Sequence, residues 1–453
     1  MSSVKAVCLV TVIGCAVVAP VALAGPPVAV ASPGPEVANG PYTPPACTGL
    51  FADVACPGGF AVNWIEQFYN DAITSGCGTN PLQYCPDNPV TRAQMAVFVE
   101  RAMRGNANWP PHTQLVWAVK NPDGTPNPTA SGTALVNAVA AIPTSGNDVP
   151  SSTNPWLLKV GPGIYDLGSG SLTLPTYTAL EGAGREVTVI TAAGYADNAH
   201  GTVIVNAFGR LSRLTVANTG GDAYEIAVYL PGGAGGVRLE HVSLTASNPS
   251  NASGAAYGLE ADMSTSFSLL DCEITANGAY TNAGVWRSFL GNDVWIDGSQ
   301  MTVSGANPAG ADYCIYVNGG SMMITNARLS VVDGALQYGV YAYDGYTLDL
   351  RNTEIYTYGG GAAAYAGGSE SAVLVGDLLQ STGGGYGIST NGGGSAAEIT
   401  ASTITGAAGW LQNGAGHTVT VGASKLVGAT VNAGTVNCFG NYTGSAFLAS
   451  TCP

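Results

Sequence analysis

The chain has 453 residues, only 9% of them charged, with 63 Gly, 26 Pro and a formal net charge of −15. A hydrophobic content of 46% excludes a disordered chain, and 14 Lys and Arg against 29 acids exclude a nucleic-acid partner, whose phosphates need clustered cations. The length accommodates two or three domains or one long repeat array, and the low charge with abundant Gly, Ser, Thr and Ala suits a β-rich extracellular protein.

Residues 1–24 read as a signal peptide: Lys5, an apolar run from Ala6 to Val18, and the small-x-small site Ala22-Leu23-Ala24. Cleavage there leaves 429 residues and a net charge of −16. Val12-Ile13-Gly14-Cys15 also fits a lipoprotein box, although the residues after Cys15 stay apolar. No later segment is long and apolar enough for a transmembrane helix. Residues 25–45, rich in Pro and Ala, read as a flexible leader. The expected location is secreted or on the cell surface.

Residues 46–105 form a small helical module. Ala61, Ile65, Phe68, Tyr69, Ala72 and Ile73 recur at helical spacing, and Gly76 ends that helix. A second helix starts at the capping box Thr91-Arg92-Ala93-Gln94, carries Met95, Phe98, Val99, Ala102 and Met103 as its apolar stripe, and stops at Gly105. So small a core needs staples, and an oxidising compartment supplies disulfides. Short separations favour Cys47–Cys56 and Cys77–Cys85 here and Cys438–Cys452 at the far end. A zinc site is the competing reading of the four N-terminal cysteines, but no CxxC spacing occurs.

Phe51-Ala52-Asp53-Val54, Phe60-Ala61 to Ile65, Gly76, Pro86 and Val90-Thr91-Arg92-Ala93-Gln94 together resemble a single surface-layer homology (SLH) module. Such modules bind cell-wall polysaccharide, usually as three tandem copies, where this chain has one. The family's Thr-Arg-Ala-Glu motif matches Thr91, Arg92 and Ala93, with Gln94 in place of Glu. The resemblance implies glycan binding at Arg92; read alone, Arg92 is an exposed residue in a helix first turn.

Residues 106–130 read as a Pro- and Asn-rich linker, and Thr133 to Ile142 as a helix capping a repeat array. Residues 131–437 make up that array with its capping helix. An apolar-x-apolar pair trailed by a later apolar residue aligns Val237/Leu239…Leu244, Phe267/Leu269…Ile274, Val294/Ile296…Met301 and Met322/Ile324…Leu329, and continues to Val419/Val421…Leu426. Successive last members lie 30, 27, 28, 26, 24, 25 and 22 residues apart. A further column, Tyr257-Gly258-Leu259, Ala283-Gly284-Val285, Tyr313-Cys314-Ile315, Tyr338-Gly339-Val340 and Tyr386-Gly387-Ile388, opens each unit. One such unit cannot bury its own apolar face, whereas stacked units can. The fold expected is mainly β: a right-handed parallel β-helix of about 24–30 residues per coil, closed by residues 438–453. Cys272 and Cys314 fall in different columns and are expected as separate buried thiols.

Val160-Gly161-Pro162-Gly163-Ile164-Tyr165 and Leu180-Glu181-Gly182-Ala183-Gly184 resemble opening strands of the β-helix superfamily that includes pectate lyases and pectin methylesterases. The resemblance implies the fold more than an activity. Val294-Trp295-Ile296-Asp297 is similar to a lyase stretch, but Gly298 stands where that stretch continues into His. His112, His200, His241 and His417 are scattered and read as surface or coil-edge residues. No cofactor signature is present. Ca²⁺ would have only the single aspartates Asp262, Asp271, Asp293, Asp297, Asp312 and Asp344, which at turns more often bond the backbone.

Alternation points Leu259, Val285, Ile315 and Val340 inward and their successors Glu260, Trp286, Tyr316 and Tyr341 outward. Adjacent coils lie ~4.8 Å apart, so the last three should stack as a ladder, with Asp262, Asn318 and Asp344 as polar neighbours for sugar hydroxyls. A ladder that only stabilises the sheet is the plainer alternative. The leading function is therefore noncatalytic contact with polysaccharide or cell-wall glycan. A polysaccharide lyase or esterase and a structural stalk are the alternatives.

Overall fold

The computed structural model describes residues 44–59, 61–70, 73–104, 112–194, 197–248, 253–287, 293–305, 309–367, 371–391, 396–443, 446–448, 450 and 452–453, without the side chains of 100–104, 344–346 and 391. The signal peptide, nearly all of the leader, Phe60 and Gly105 lie outside the described residues. The chain divides into two compact units, Met1–Ala107 and Asn108–Pro453.

In the first unit, α1 (Val62–Asn70) and α2 (Arg92–Arg104) flank an antiparallel hairpin of Gly78–Thr79 and Leu82–Gln83. Phe51, 3% exposed, meets the rings of Tyr69 at 5.3 Å and Tyr84 at 5.5 Å, while Phe68 meets Phe98 at 5.3 Å. The capping box forms: Thr91 N donates to Gln94 Oε1 at 2.9 Å and Gln94 N to Thr91 Oγ1 at 3.2 Å. Buried Glu66 holds the entering chain, accepting from Thr48 N at 2.6 Å, Gly49 N at 2.8 Å and Leu50 N at 2.9 Å. Burial pushes its pKa up, but the bonds from Leu50, Thr48 and Gly49 outweigh it and leave it below the usual value. Disulfides join Cys47 to Cys56 and Cys77 to Cys85. One expectation needs correction. Met95 and Val99 are 51% and 46% exposed, because among the described residues of this unit none covers that side of α2; of the expected stripe, Phe98 packs on the α1 ring.

The second unit is the parallel β-helix, right-handed as crossovers between parallel strands are. A coil has three strands, for example Ala255–Ala261, Phe267–Leu270 and Glu273–Asn277. Each strand pairs in parallel with its equivalent in the next coil, and the repeat alignment is the observed register: Val237 opposes Phe267, then Val294, then Met322. In the third strands Leu244 opposes Ile274, then Met301, then Leu329. These side chains fill one continuous core.

From Ser212 onward the turn from second to third strand has a constant form, while the two coils before it turn through Gly161-Pro162 and through 183–187. Arg213, His241, Asp271, Asn326, Asn352, Ala401 and Ala423 sit there with φ between 49° and 55°. Each left-handed non-glycine residue costs ~1–2 kcal/mol. Each also donates its backbone N–H to the next coil, as Asp271 does to Asp297 O at 2.9 Å and Asn352 to Val375 O at 3.0 Å. Gly298, Gly376 and Gly440 take the same place in other coils, and the side chain after each accepts from the coil before: Ser299 Oγ from Cys272 N at 3.1 Å, Asp377 Oδ1 from Thr353 N at 2.8 Å, Asn441 Oδ1 from Ser424 N at 3.0 Å. Cys272 belongs to this column and Cys314 to a first-strand column; both are free and buried. Burial pushes the Cys272 thiol up to about 11 and the Cys314 thiol higher still.

The span read as a linker is partly structured. His112–Val116 pairs in parallel with Trp156–Val160, so the β-helix begins inside it. The capping helix α3 (Pro128–Ala140) also starts earlier than Thr133, because Asn127 is its N-cap, accepting from Ala130 N at 3.0 Å, and Pro128 fills the first turn. Asn-Pro dipeptides that look like linker are a helix start. Leu135, Val139 and Ile142 are buried, as expected of the capping face. At the other end Thr435–Phe439 pairs with Thr418–Gly422, a hairpin of Asn441–Thr443 and Ala446–Leu448 comes next, and Cys438 is bonded to Cys452.

Ile315 is fully buried between Val285 and Val340. Ile315→Asp should lower stability by about 4 kcal/mol through an unpaired core carboxylate. Thermal unfolding of the full chain at neutral pH checks this, and an unchanged midpoint would refute the register. Peptide mapping without reduction should give the Cys47–Cys56, Cys77–Cys85 and Cys438–Cys452 peptides. Cys272 and Cys314 should alkylate only after unfolding.

Candidate functional site: an aromatic ladder

The first strands bend. Leu259 is buried in the core, and a Cβ at the preceding Gly258 would collide with core residue Ile274, so two successive residues face inward. The column through this bend is Ala227, Gly258, Gly284, Cys314, Gly339 and Ala363: small residues, because a larger one meets the third strand. Only at Trp410 does a large side chain fill the position, fully buried. The bend turns the residues on both sides of the inward pair outward.

Two aromatic columns result. Trp286, Tyr316, Tyr341 and Tyr365 occupy the one after the bend. Their centroids are 4.0, 5.3 and 4.4 Å apart and successive ring planes differ by 13°, 6° and 2°. Tyr257, Tyr313 and Tyr338 occupy the one before it; Tyr313 and Tyr338 stack at 5.5 Å and meet Tyr316 and Tyr341 edge-on at 76°. Tyr257 stacks on Trp286 at 5.0 Å. The expected trio is thus brought together within a larger set. Strict alternation hides the second column, and Ala362-Ala363-Ala364 lacks the Tyr-Gly signature that would have pointed to Tyr365. The usable signal is the small residue between an aromatic and an aliphatic one.

The stacking changes what the ladder can offer. Successive rings cover one another's faces, so edges and phenol hydroxyls point outward rather than flat faces for sugar C–H groups. Burial raises the pKa of Tyr316, Tyr338, Tyr313 and Tyr341, which keeps these hydroxyls protonated as donors.

The remaining candidates are dispersed. Asp262 comes just after the Ala255–Ala261 strand and accepts from Tyr229 Oη at 3.4 Å. Asn318 extends the ladder strand one outward position past Tyr316, opposite Tyr343. The side chain of Asp344 lies outside those described. Arg92 is the first residue of α2, in the other unit, exposed beside Val90, Met95 and Val99. Of the candidate Ca²⁺ aspartates, Asp271 bonds His241 Nδ1 at 2.6 Å, Asp293 bonds Ser321 Oγ, and Asp297 accepts from Thr325 Oγ1 at 2.6 Å and Asn326 Nδ2 at 2.8 Å. Among the described residues, Asp53, Cys77 and Cys85 form a group with metal-ligand spacing, but its sulfurs are bonded to each other. His417 is buried rather than at the surface, beside Asn413, whose Nδ2 lies 3.5 Å from its carbonyl oxygen.

Alternation places Glu260 outward, but nothing in the sequence marks it as a site residue. It stands in register between Tyr229 and Trp286, is 3% exposed, and accepts from Asn198 Nδ2 at 3.4 Å. Burial, with Asp262 nearby, pushes its pKa up to about 8. Three inward carboxyls share this condition: Glu225, Asp312 and Asp377 are each pushed to about 7 by burial. Asp312 accepts from Asn282 Nδ2 at 2.7 Å.

No family model matches the chain, and no curated protein is similar to it. Similar solved structures include a protein of Geobacillus virus E2 (12% identity, 77% of this chain and 62% of that one, TM-score 0.43) and DFA-IIIase from Arthrobacter chlorophenolicus A6 (10%, 74% and 90%, 0.42). The A-module of mannuronan C-5 epimerase AlgE4 from Azotobacter vinelandii shares 14% identity over 68% of this chain and 92% of that one, with a TM-score of 0.36. None of the three reaches 0.5, and the β-helix is read from the coil registers.

The raised carboxyls set a pH dependence for the β-helix. A carboxyl whose folded pKa exceeds its unfolded value stabilises the fold fully below the unfolded pKa and loses that contribution as pH rises through the folded one. The window runs from the ordinary values of 3.8 and 4.5 to about 7 for Glu225, Asp312 and Asp377 and about 8 for Glu260. The β-helix unfolding midpoint should fall between pH 5 and pH 9, and Asp312→Asn should flatten the fall. The first unit should respond oppositely, losing stability in acid as Glu66 is protonated. A β-helix midpoint that rises with pH over that window would contradict the assignment.

Proposed function

We propose that this is an extracellular β-helix protein that contacts polysaccharide through its first-strand face and does no chemistry on it. The observation that supports this reading is the pair of phenol rows. Tyr316, Tyr341 and Tyr365 and, across the bend, Tyr313 and Tyr338 present hydroxyls at the coil spacing of ~4.8 Å along the axis. A phenol both donates and accepts, as a sugar hydroxyl does, and a repeated row suits a repeated ligand. Three disulfides fit an oxidising location. For the first unit we propose SLH-like contact with wall glycan around Arg92.

One observation favours an enzyme instead. Glu260, buried at one end of the ladder and held to about 8, is uncharged at neutral pH and so is a proton donor of the kind glycan cleavage uses. Product release from a cognate polysaccharide, lost in Glu260→Gln, would establish that reading.

The binding test separates hydroxyls from rings. Tyr316→Phe with Tyr341→Phe and Tyr365→Phe keeps the stacking and removes three hydroxyls. In affinity gels over a polysaccharide panel, this variant should lose retention on the cognate polymer about tenfold or more, each lost bond being worth ~0.5–1.5 kcal/mol. Its unfolding midpoint should stay near that of the parent. Arg92→Ala should leave this retention intact and weaken only binding to wall glycan. If the Phe variant and a Trp286→Ala, Tyr316→Ala, Tyr341→Ala variant both bind like the parent, the ladder is a stalk element.

A further inference from the structure

The ladder rings cover one another, but one tryptophan keeps a free face. Trp117 comes directly after the opening strand His112–Val116 and is 66% exposed. It is also held in place: a Cβ added at Gly161 would lie 2.6 Å from its Cε3, so the indole lies against the Gly161 backbone. A shallow cleft of about 340 Å³ opens beside it, walled by Trp117, Leu115 and Pro162. Leu115 is itself 44% exposed.

The rim of this cleft carries a lysine and an arginine in an otherwise acidic chain. Lys159 Nζ lies 3.5 Å and Arg213 Nη1 3.9 Å from the same carboxylate oxygen of Glu181. Lys159 is the nearer of the two, so Arg213 holds this carboxylate only loosely. Arg213 is the left-handed turn residue of its coil, and its side chain is 57% exposed. Two coils on, the equivalent outward acid, Glu240, is paired with Arg210 and Arg238 and leaves Arg213 to the cleft.

We propose that this cleft is a second glycan site, which takes a sugar ring bearing an anionic group, carboxylate or sulfate. The apolar C–H face of the ring packs on the free indole face, and the anion meets the Arg213 guanidinium and the Lys159 ammonium. The ladder face differs in kind, with phenol hydroxyls along it and Asp262 at one end, and suits uncharged sugars. The cleft site does not depend on the ladder reading, and the two are tested with separate variants.

The test uses the full chain in affinity gels containing polygalacturonate, dextran sulfate or uncharged dextran. Retention is expected on polygalacturonate, on dextran sulfate or on both, with none on dextran, and added salt should weaken it. Polygalacturonate alone would identify the group as carboxylate, dextran sulfate alone as sulfate, and both as charge recognition. Trp117→Ala and, separately, Arg213→Gln should each reduce retention about tenfold, which corresponds to ~1.4 kcal/mol. Arg213→Gln changes an exposed side chain, so it tests the site even where Trp117→Ala unfolds the first coil. The ladder triple Phe variant should retain the charged polymers unchanged. No retention on either charged polymer, equal retention on dextran, or retention unchanged in Arg213→Gln would overturn the proposal. Loss in the ladder variant alone would assign anionic binding to the ladder and also overturn it.

Discussion

From Arg213 onward the β-helix depends on one left-handed residue between the second and third strand of each coil. It turns the chain sharply enough that both strands lie on one thin core. It also keeps its own N–H in line with the coil-to-coil hydrogen bonds, so the turn is as tightly paired as a strand. Along that stretch the turn never lengthens, so variation in coil length falls elsewhere in the coil. The residue after it must face inward, which is why Ser299, Asp377, Ser402 and Asn441 form a polar column inside an otherwise apolar tube. Each of them accepts a neighbour's N–H that the turn would otherwise leave unsatisfied.

The bend in the first strands obeys a related logic with the opposite chemistry. There the chain needs the absence of a side chain. Gly258, Gly284 and Gly339 allow the strand to press against the third strand, and Cys314 and Ala363 are the largest residues tolerated before Trp410 ends the pattern. The aromatic columns are the outer consequence of that inner restriction. Their rings stack because register fixes them a coil apart, so packing between coils comes first and any ligand has only edges and hydroxyls to work with.

The coil registers are legible in the sequence because apolar alternation and a fixed turn write the same pattern into every coil: Leu239, Leu269, Ile296 and Ile324 align without any structure. The illegible parts have local causes. Asn127-Pro128 carries the same letters whether it is a linker or a helix start, and only the packing of α3 decides between them. His112–Val116 is too short for its alternation to stand out until Trp156–Val160 pairs with it. Alternation carried straight through Gly258 would turn Tyr257 inward, and only the bend reverses it. Glu260 reads as an ordinary outward acid because its contacts, Tyr229 and Trp286 in adjacent coils and Asn198, 62 positions away in the chain, leave no trace in local sequence.

Both ends of the β-helix are closed by dedicated parts: α3 over the first coil, and the Cys438–Cys452 bridge with its antiparallel hairpin after the last. Between them the strands of each coil pair only with those of its neighbours. Length is therefore the property of this molecule that is easiest to change. Excising the coil around Ala362-Ala363-Ala364 would bring Tyr341 over Ser389 and Val340 over Ile388, register pairs of the kind already present on either side. The closed ends make the interior modular, and the number of phenol hydroxyls along the face grows or shrinks one coil at a time.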